Sequence, residues 1–283
     1  MQTITAIPFL SSMSETKEMS FLDHLEDLRA TLLRCVVAIL TFAIVAFIYM
    51  DKLFKYVIIA PAKPDFWTYR MLCQLSDTLC VTKIDFAMQN RTLTGQFSMH
   101  IMASIITGFV VSAPYIFYQF WKFISPALHA GEKRYAGKAV FYVSFLFFTG
   151  VLFGYFLLSP LSINFLANYQ IFTDDVIQVR NDFDITDYIS TLCWMVLSGG
   201  IAFQLPVAIY VLSSLGIVGP TMLRKYRRHA IIILMIAAAI LTPSPDIFSQ
   251  LIVGLPMLLL YEISILISAN IEKKRNKKTL DHV

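Results

Sequence analysis

Charge is scarce in this chain. Asp, Glu, Lys and Arg make up 15% of the residues, where soluble domains carry about 25%. Mean hydropathy is +0.65. The shortage is uneven, because apolar runs repeatedly reach membrane-spanning length, which excludes an ordinary soluble globule. The net charge of +4 is too small to point to nucleic acid. The five histidines, His24, His100, His129, His229 and His282, are scattered. The apolar runs hold no paired acids, no HExxH and no Ser–His arrangement, so the sequence predicts neither an enzyme nor a bound metal or cofactor. Of four cysteines, Cys35 and Cys193 fall inside apolar runs and read as packing. Cys73 and Cys80 lie in a polar segment with no histidine beside them, which is not a zinc pattern; an oxidising compartment would let them close a disulfide. Residues 1–29 lack a basic start, apolar core and small-residue cleavage site, so no cleavable signal peptide is expected. There is no internal repeat and no low-complexity region.

What is present is a series of apolar runs, each needing about 20 residues to cross about 30 Å of hydrocarbon. Six can be read, near 30–50, 97–121, 135–159, 188–212, 229–241 and 247–268. They predict an all-α polytopic membrane protein, since lipid satisfies no exposed backbone group. Prolines 114, 126, 160, 206, 243, 245 and 256 punctuate the runs and predict kinked helices around a concave surface. The fifth run, His229 to Leu241, would be about 20 Å long at about 1.5 Å per residue, which predicts local thinning of the bilayer. Residues 1–19 read as a flexible segment, 20–268 as the membrane domain and 269–283 as a basic tail.

Charge placement sets an orientation. The N-terminal segment, the loops near 122–138 and 213–228 and the C-terminal tail together hold 16 of the 23 Lys and Arg residues. That side is read as cytoplasmic, which puts both termini inside. The opposite connections include a long loop, 51–96, with Pro61, and an acidic stretch holding Asp174, Asp175, Asp182, Asp184 and Asp187 that reads as a solvated face.

Two acidic positions stand on the basic side. In SFLDHLEDLRATLLR, 20–34, Phe21, Leu25, Leu28 and Leu32 share one helical face, with Asp23, Asp27 and Arg34 roughly opposite and Glu26 and Arg29 flanking. This is either an interfacial anchor with a solvated side or a docking surface. Glu132 sits in FWKFISPALHAGEKR, 120–134; it either pairs locally with Lys122, Lys133 or Arg134, or meets a cation from elsewhere. Guanidinium binds carboxylate through a two-pronged fork that lysine cannot reproduce, so two such acids suit a partner with paired arginines. Within the runs Gln204 needs a partner helix or a wet cavity. Asp246 can cap the last helix, with Gln250 one turn on.

HLEDLR at 24–29, SAPYIFYQFWKFISPALHAGEKR at 112–134, FLAN at 165–168, FQLPVAI at 203–209 and TPSPDIFSQ at 242–250 together resemble TatC, the receptor subunit of the twin-arginine protein translocase. The resemblance runs from about Phe21 to Ser268. It implies a component of the bacterial-type cytoplasmic membrane that binds the Arg-Arg motif of signal peptides. With TatA- and TatB-like single-span proteins, and other copies of itself, it would pass folded proteins across the membrane on the proton-motive force. It implies that Asp27 and Glu132 pair with the signal-peptide arginines, with Glu26 adjacent. Arg29 would orient the site, Phe123 and Pro126 would shape it, and Pro61 matches a proline of the first outer loop. Gln204, with Asp246 and Gln250, falls on the membrane polar site. Asp27 stands where the family usually has Glu, and Gln204 stands where the family often has Glu, keeping polarity without charge. The alternative is a small-solute secondary transporter, which kinked spans and midplane polar groups allow, although no repeated halves are visible.

Overall fold

The computed structural model describes residues 21–75, 88–124, 136–169, 182–242 and 247–280. Pro126, Glu132, Cys80 and Asp246 lie outside the described residues, as does the 1–19 segment. The chain is mostly helical. α1 (Phe21–Ile48) leads into a short α2 (Met50–Leu53), a π turn over Phe54–Ile58 and a 3-10 turn over Ala60–Ala62. α3 (Trp67–Leu75), β1 (Met88–Gln89) and the long α4 (Gly95–Ile124) follow. α5 (Ala136–Phe153) joins α6 (Ser159–Asn168) through a π turn over Gly154–Leu158. Then come β2 (Phe183–Asp184), α7 (Ile185–Ala202), α8 (Leu205–Ser214), α9 (Pro220–Lys225), α10 (Arg227–Leu241) and α11 (Ile247–Leu280). Among the described residues, five helical stretches are long and apolar enough to cross a membrane: Leu25–Ile48, Gly95–Ile124, Ala139–Asn168, Ile185–Ser214 and Gln250–Lys273. α10, expected as a further crossing, has 15 residues and falls short of that length.

Helices in lipid gain nothing by burying apolar surface against each other, so close backbone approach must hold them. Glycine provides it here. A Cβ on Gly108 of α4 would lie 2.6 Å from the Ala43 nitrogen and 2.8 Å from the Ile39 oxygen of α1. Gly150 and Gly154, four residues apart, put the α5 end against Gly199 and Met195 of α7, where any added Cβ would meet a backbone carbonyl. Side chains outside these seams face outward: Ile44, Ile48, Ile233 and Ile240 are each more than 60% exposed, as a lipid-facing surface requires.

Proline breaks are repaired by polar side chains. The stretch expected to end near Ser159 continues to Asn168, because Pro160 sits in the first turn of α6, where its missing N–H costs little. Pro160 leaves the Phe156 carbonyl without its helical donor, and the Thr68 hydroxyl of α3 donates to that oxygen. Ser159 Oγ donates to the Gly154 oxygen at 2.8 Å. The Tyr69 hydroxyl, wholly buried, donates to the Pro160 oxygen at 2.7 Å and reaches the Pro61 oxygen at 3.2 Å. Tyr155 and Tyr188 donate to the Val57 and Ile58 oxygens, each at 2.7 Å. These bonds fasten the 57–69 segment onto the ends of α6 and α7.

The stretch read as a solvated acidic face is in part a structural junction. β1 and β2 pair in parallel, Met88 with Phe183 and Gln89 with Asp184. Asp184 caps α7, accepting from the Thr186 N–H at 2.8 Å, and also accepts from the Arg91 N–H at 3.0 Å. Gln89 Nε2 donates to Asp182 at 2.9 Å. The Asp184 carboxyl is held below the usual carboxylate range, first by the Thr186 hydroxyl beside it and then by the Thr186 and Arg91 N–H groups. Among the described residues the hydroxyl makes no well-formed hydrogen bond of its own, so the two N–H contacts carry the interaction. A two-residue ladder needs two partners in place, and neither hydropathy nor charge counting registers that.

Candidate functional site

α1 positions the first acid. Thr31, Cys35, Ala43 and Ala46 are its buried residues, a stripe at helical spacing along its packing against α4. Asp27 stands one turn before Thr31 and continues that stripe past the point where burial ends; it is exposed. Glu26 lies in register with Leu33, Val37 and Ile44, which are 56%, 61% and 63% exposed, so it belongs to the outer face. The two adjacent acids therefore differ: Asp27 stands at the end of the α1–α4 seam and Glu26 beside it, on lipid or solvent. α4 runs antiparallel to α1 and ends at Ile124, at the same end of the bundle. Phe123, half-buried, is in its last turn. Asp27, Glu26 and Arg29 make no hydrogen bond or ion pair among the described residues.

The polar residues of the membrane interior do not converge on one point. Gln204 sits in the break between α7 and α8, where Pro206 removes a donor; its side-chain amide donates to the Val143 oxygen of α5 at 3.3 Å. Gln250 Nε2 donates instead to the Met235 oxygen of α10 at 3.0 Å. Glu262 is paired with Arg227 at 2.6 Å, both partly exposed. An apolar groove of about 550 Å³ runs beside Gln204, walled by Trp121, Tyr142, Val143, Pro206, Tyr210 and Leu260. Pro61 is buried beneath Tyr69. Cys73 is held in a disulfide, while Cys35 and Cys193 are free thiols.

Sequence reading missed Gln119 and Trp121. Both are buried near the end of α4, 7% exposed each. Gln119 donates to the Tyr115 hydroxyl at 2.7 Å, while its Oε1 and the Trp121 Nε1 have no hydrogen-bond partner among the described residues. They stand four residues and two residues from Phe123 in an aromatic-rich run, and polarity scanning passes over a lone amide there.

No group of three or more His, Cys, Asp and Glu residues is placed to hold a metal among the described residues. Five helices among the described residues that are long and apolar enough to cross a membrane, packed through glycine seams, define a multi-pass membrane protein. A family model described as Sec-independent protein translocase protein (TatC) matches residues 23–256. The Sec-independent protein translocase protein TatC of Blattabacterium sp. subsp. Periplaneta americana (strain BPLAN) is 40% identical over 93% of this chain and 99% of its own length. The TatC of Aquifex aeolicus (strain VF5) is 32% identical over 92% of this chain and 98% of its own. Two crystal structures of the twin-arginine translocase receptor TatC, one in DDM, superpose with TM-scores of 0.66 and 0.68. Each is 31% identical and covers 87% of this chain, and 97% and 99% of the crystallised chains are matched. The chain belongs to the TatC family of Sec-independent protein translocase components. That membership sets it among protein translocases and apart from the solute transporters that its kinked spans also allowed.

Proposed function

We propose that this chain reads the paired arginines of a signal peptide at the end of the bundle where α1 and α4 finish. In concert with TatA- and TatB-like single-span partners and further copies of itself, it then passes folded proteins across the cytoplasmic membrane, using the proton-motive force. The observation that carries the reading is Asp27: an exposed carboxylate, without a partner among the described residues, aligned with the α1–α4 seam. Glu132 follows the end of α4 by eight residues in the sequence, and two carboxylates suit two guanidinium forks. Phe123 and Pro126 shape the site, Arg29 orients it, and Glu26 contributes field rather than contact. Both termini lie on that cytoplasmic side, with α10 as a sixth, short crossing between α9 and α11. Gln204, Asp246 and Gln250 supply uncharged or capping polarity within the membrane. Cys73 pairs with Cys80 on the opposite side. The 20–268 segment is the membrane domain, flanked by the 1–19 segment and a basic tail.

Photo-crosslinking of a twin-arginine signal peptide to the purified translocase tests the site. Asp27→Ala or Glu132→Ala should abolish the crosslink, and Glu26→Ala should weaken it only slightly. Replacing the peptide's arginines by lysines should reduce it in the parent protein. Crosslinking retained in both the Asp27 and Glu132 variants refutes the two-acid assignment.

A further inference from the structure

A second polar mouth lies at the opposite end of the bundle from Asp27. A pocket of about 350 Å³ opens between α2 with its following π turn and the starts of α4 and α7, walled by Met50, Asp51, Phe54, Gln96, His100 and Ile185. Its size is at the small end of ligand pockets, about 300–1,000 Å³, which suits a headgroup-sized ligand. The walls are mostly apolar, with three polar groups among them. His100 is stacked on Phe47, ring centroids 4.0 Å apart, and its Nε2 lies 3.0 Å from the Phe47 oxygen. A carbonyl can only accept, so Nε2 carries the proton in that bond, and in the neutral ring Nδ1 is left as an acceptor. The Asp51 carboxylate and the Gln96 amide make no hydrogen bond or ion pair among the described residues. The pocket thus offers a carboxylate, an amide oxygen and an imidazole nitrogen, all able to accept.

The neighbouring cations form no ion pair with Asp51 among the described residues. The Lys52 ammonium lies over the Tyr49 ring, 5.7 Å from its centre, and that of Lys55 over Tyr56 at 5.5 Å. Both lysines are exposed. The pocket begins where the apolar window of α1 ends, at Ile48, beside exposed Tyr49 and Tyr56. Tyrosines at the end of a crossing helix mark the headgroup level of a bilayer. Acceptors inside and lysines outside, at that level, present a negative centre flanked by positive ones.

We propose that this pocket binds the headgroup of an ethanolamine phospholipid. Its primary ammonium donates to Asp51, Gln96 and His100, and its phosphate faces Lys52 and Lys55. A choline headgroup has no N–H to donate, and a phosphoglycerol headgroup brings no cation to Asp51. The assignment does not depend on the arginine-reading site.

Native mass spectrometry of the purified full-length protein tests it. Phosphatidylethanolamine, phosphatidylcholine and phosphatidylglycerol with the same acyl chains are supplied in equal amounts. A charge-assisted hydrogen bond at a partly exposed site supports about a tenfold preference for the ethanolamine lipid. Asp51→Asn should bring the ethanolamine and choline lipids to near parity, and Gln96→Leu should narrow the gap. Asp65→Asn, at an exposed acid outside the pocket, should leave it unchanged. Stepwise N-methylation of the ethanolamine lipid should erode binding in the parent protein as donors are lost. An unchanged melting temperature in detergent shows that Asp51→Asn remains folded. Equal retention of the lipids, no retention of any, or an ethanolamine preference that survives Asp51→Asn overturns the assignment.

Discussion

Replacing Gly199 with alanine should force α5 away from α7. The added Cβ would lie 2.5 Å from the Gly150 oxygen, where ordinary contact begins at 3.4 Å, a deficit of about 0.9 Å. It would also lie 3.1 Å from the Gly154 Cα. Overpacking a tight interface costs about 1–3 kcal/mol. The obstructing atom here is a helix carbonyl, which cannot swing aside as a flexible side chain does, so the upper end of about 3 kcal/mol applies. For a chain of this size that is a fall of about 6–12 °C in melting temperature, readable by circular dichroism of the protein in detergent. Gly137→Ala provides the opposite sign. A Cβ there meets nothing within 4 Å, so alanine's better helix propensity should leave stability equal or raise it by up to about 1 kcal/mol. Gly150→Ala addresses the same contact from the other helix, so the double variant should lose less than the sum of the two single losses. A melting temperature for Gly199→Ala that matches the parent, or strict additivity in the double, would refute the close-approach account of this seam.

Three further outcomes follow from other parts of the fold. Tyr69→Phe removes a buried donor from the Pro160 and Pro61 oxygens; a stranded buried partner costs about 1–3 kcal/mol, so the melting temperature should fall, and no change would mean that the 57–69 segment is held by packing alone. Asp184 has a carboxyl held below its ordinary value of 3.8; its stabilisation of the β1–β2 junction is therefore complete above that value and is lost as pH falls through the lower folded value. Hydrogen exchange across residues 88–94, corrected for its intrinsic pH dependence, should rise only below about pH 4, and Asp184→Asn should remove that step; protection that fades at higher pH contradicts the assignment. Four apolar residues inserted into α10 would lengthen it from about 22 to about 28 Å at about 1.5 Å per residue; if its shortness thins the bilayer, export of a twin-arginine client should drop, and unchanged export sinks the idea.

The long helices were legible because a bilayer acts as a ruler: an apolar run either reaches about 20 residues or does not. Leu25–Ile48 and Gly95–Ile124 are visible on that criterion alone. The same ruler misjudged the stretch after Ser159. Proline reads as a stop, yet Pro160 opens α6, because a π turn and three side-chain donors absorb the missing bond. Two of those donors, Thr68 and Tyr69, lie about ninety residues away in sequence. No local pattern announces such a pairing. The difference between Asp27 and Glu26 was half legible: periodicity separates the two acids, but only burial of Thr31 and Cys35 shows which face meets α4.

The polar side chains of this bundle fall into two groups, and the division bears on function. Water is absent from the hydrocarbon, so a backbone carbonyl freed by proline must be answered from within the protein. Thr68, Tyr69 and Ser159 answer the break at Pro160. Gln204 and Gln250 are likewise turned onto helix carbonyls. Groups engaged in this way have little left to offer a ligand. Asp27 at one end and Asp51 at the other have no partner among the described residues. A carboxylate can remain unpaired there because water reaches it, and the same exposure leaves it open to an incoming cation. Gln204→Leu should therefore register mainly as lost stability, while Asp27→Ala and Asp51→Asn should register as lost binding with the melting temperature intact. The reverse pattern would mean that the carbonyl-bound amide, rather than the free acids, is where this protein meets its ligands.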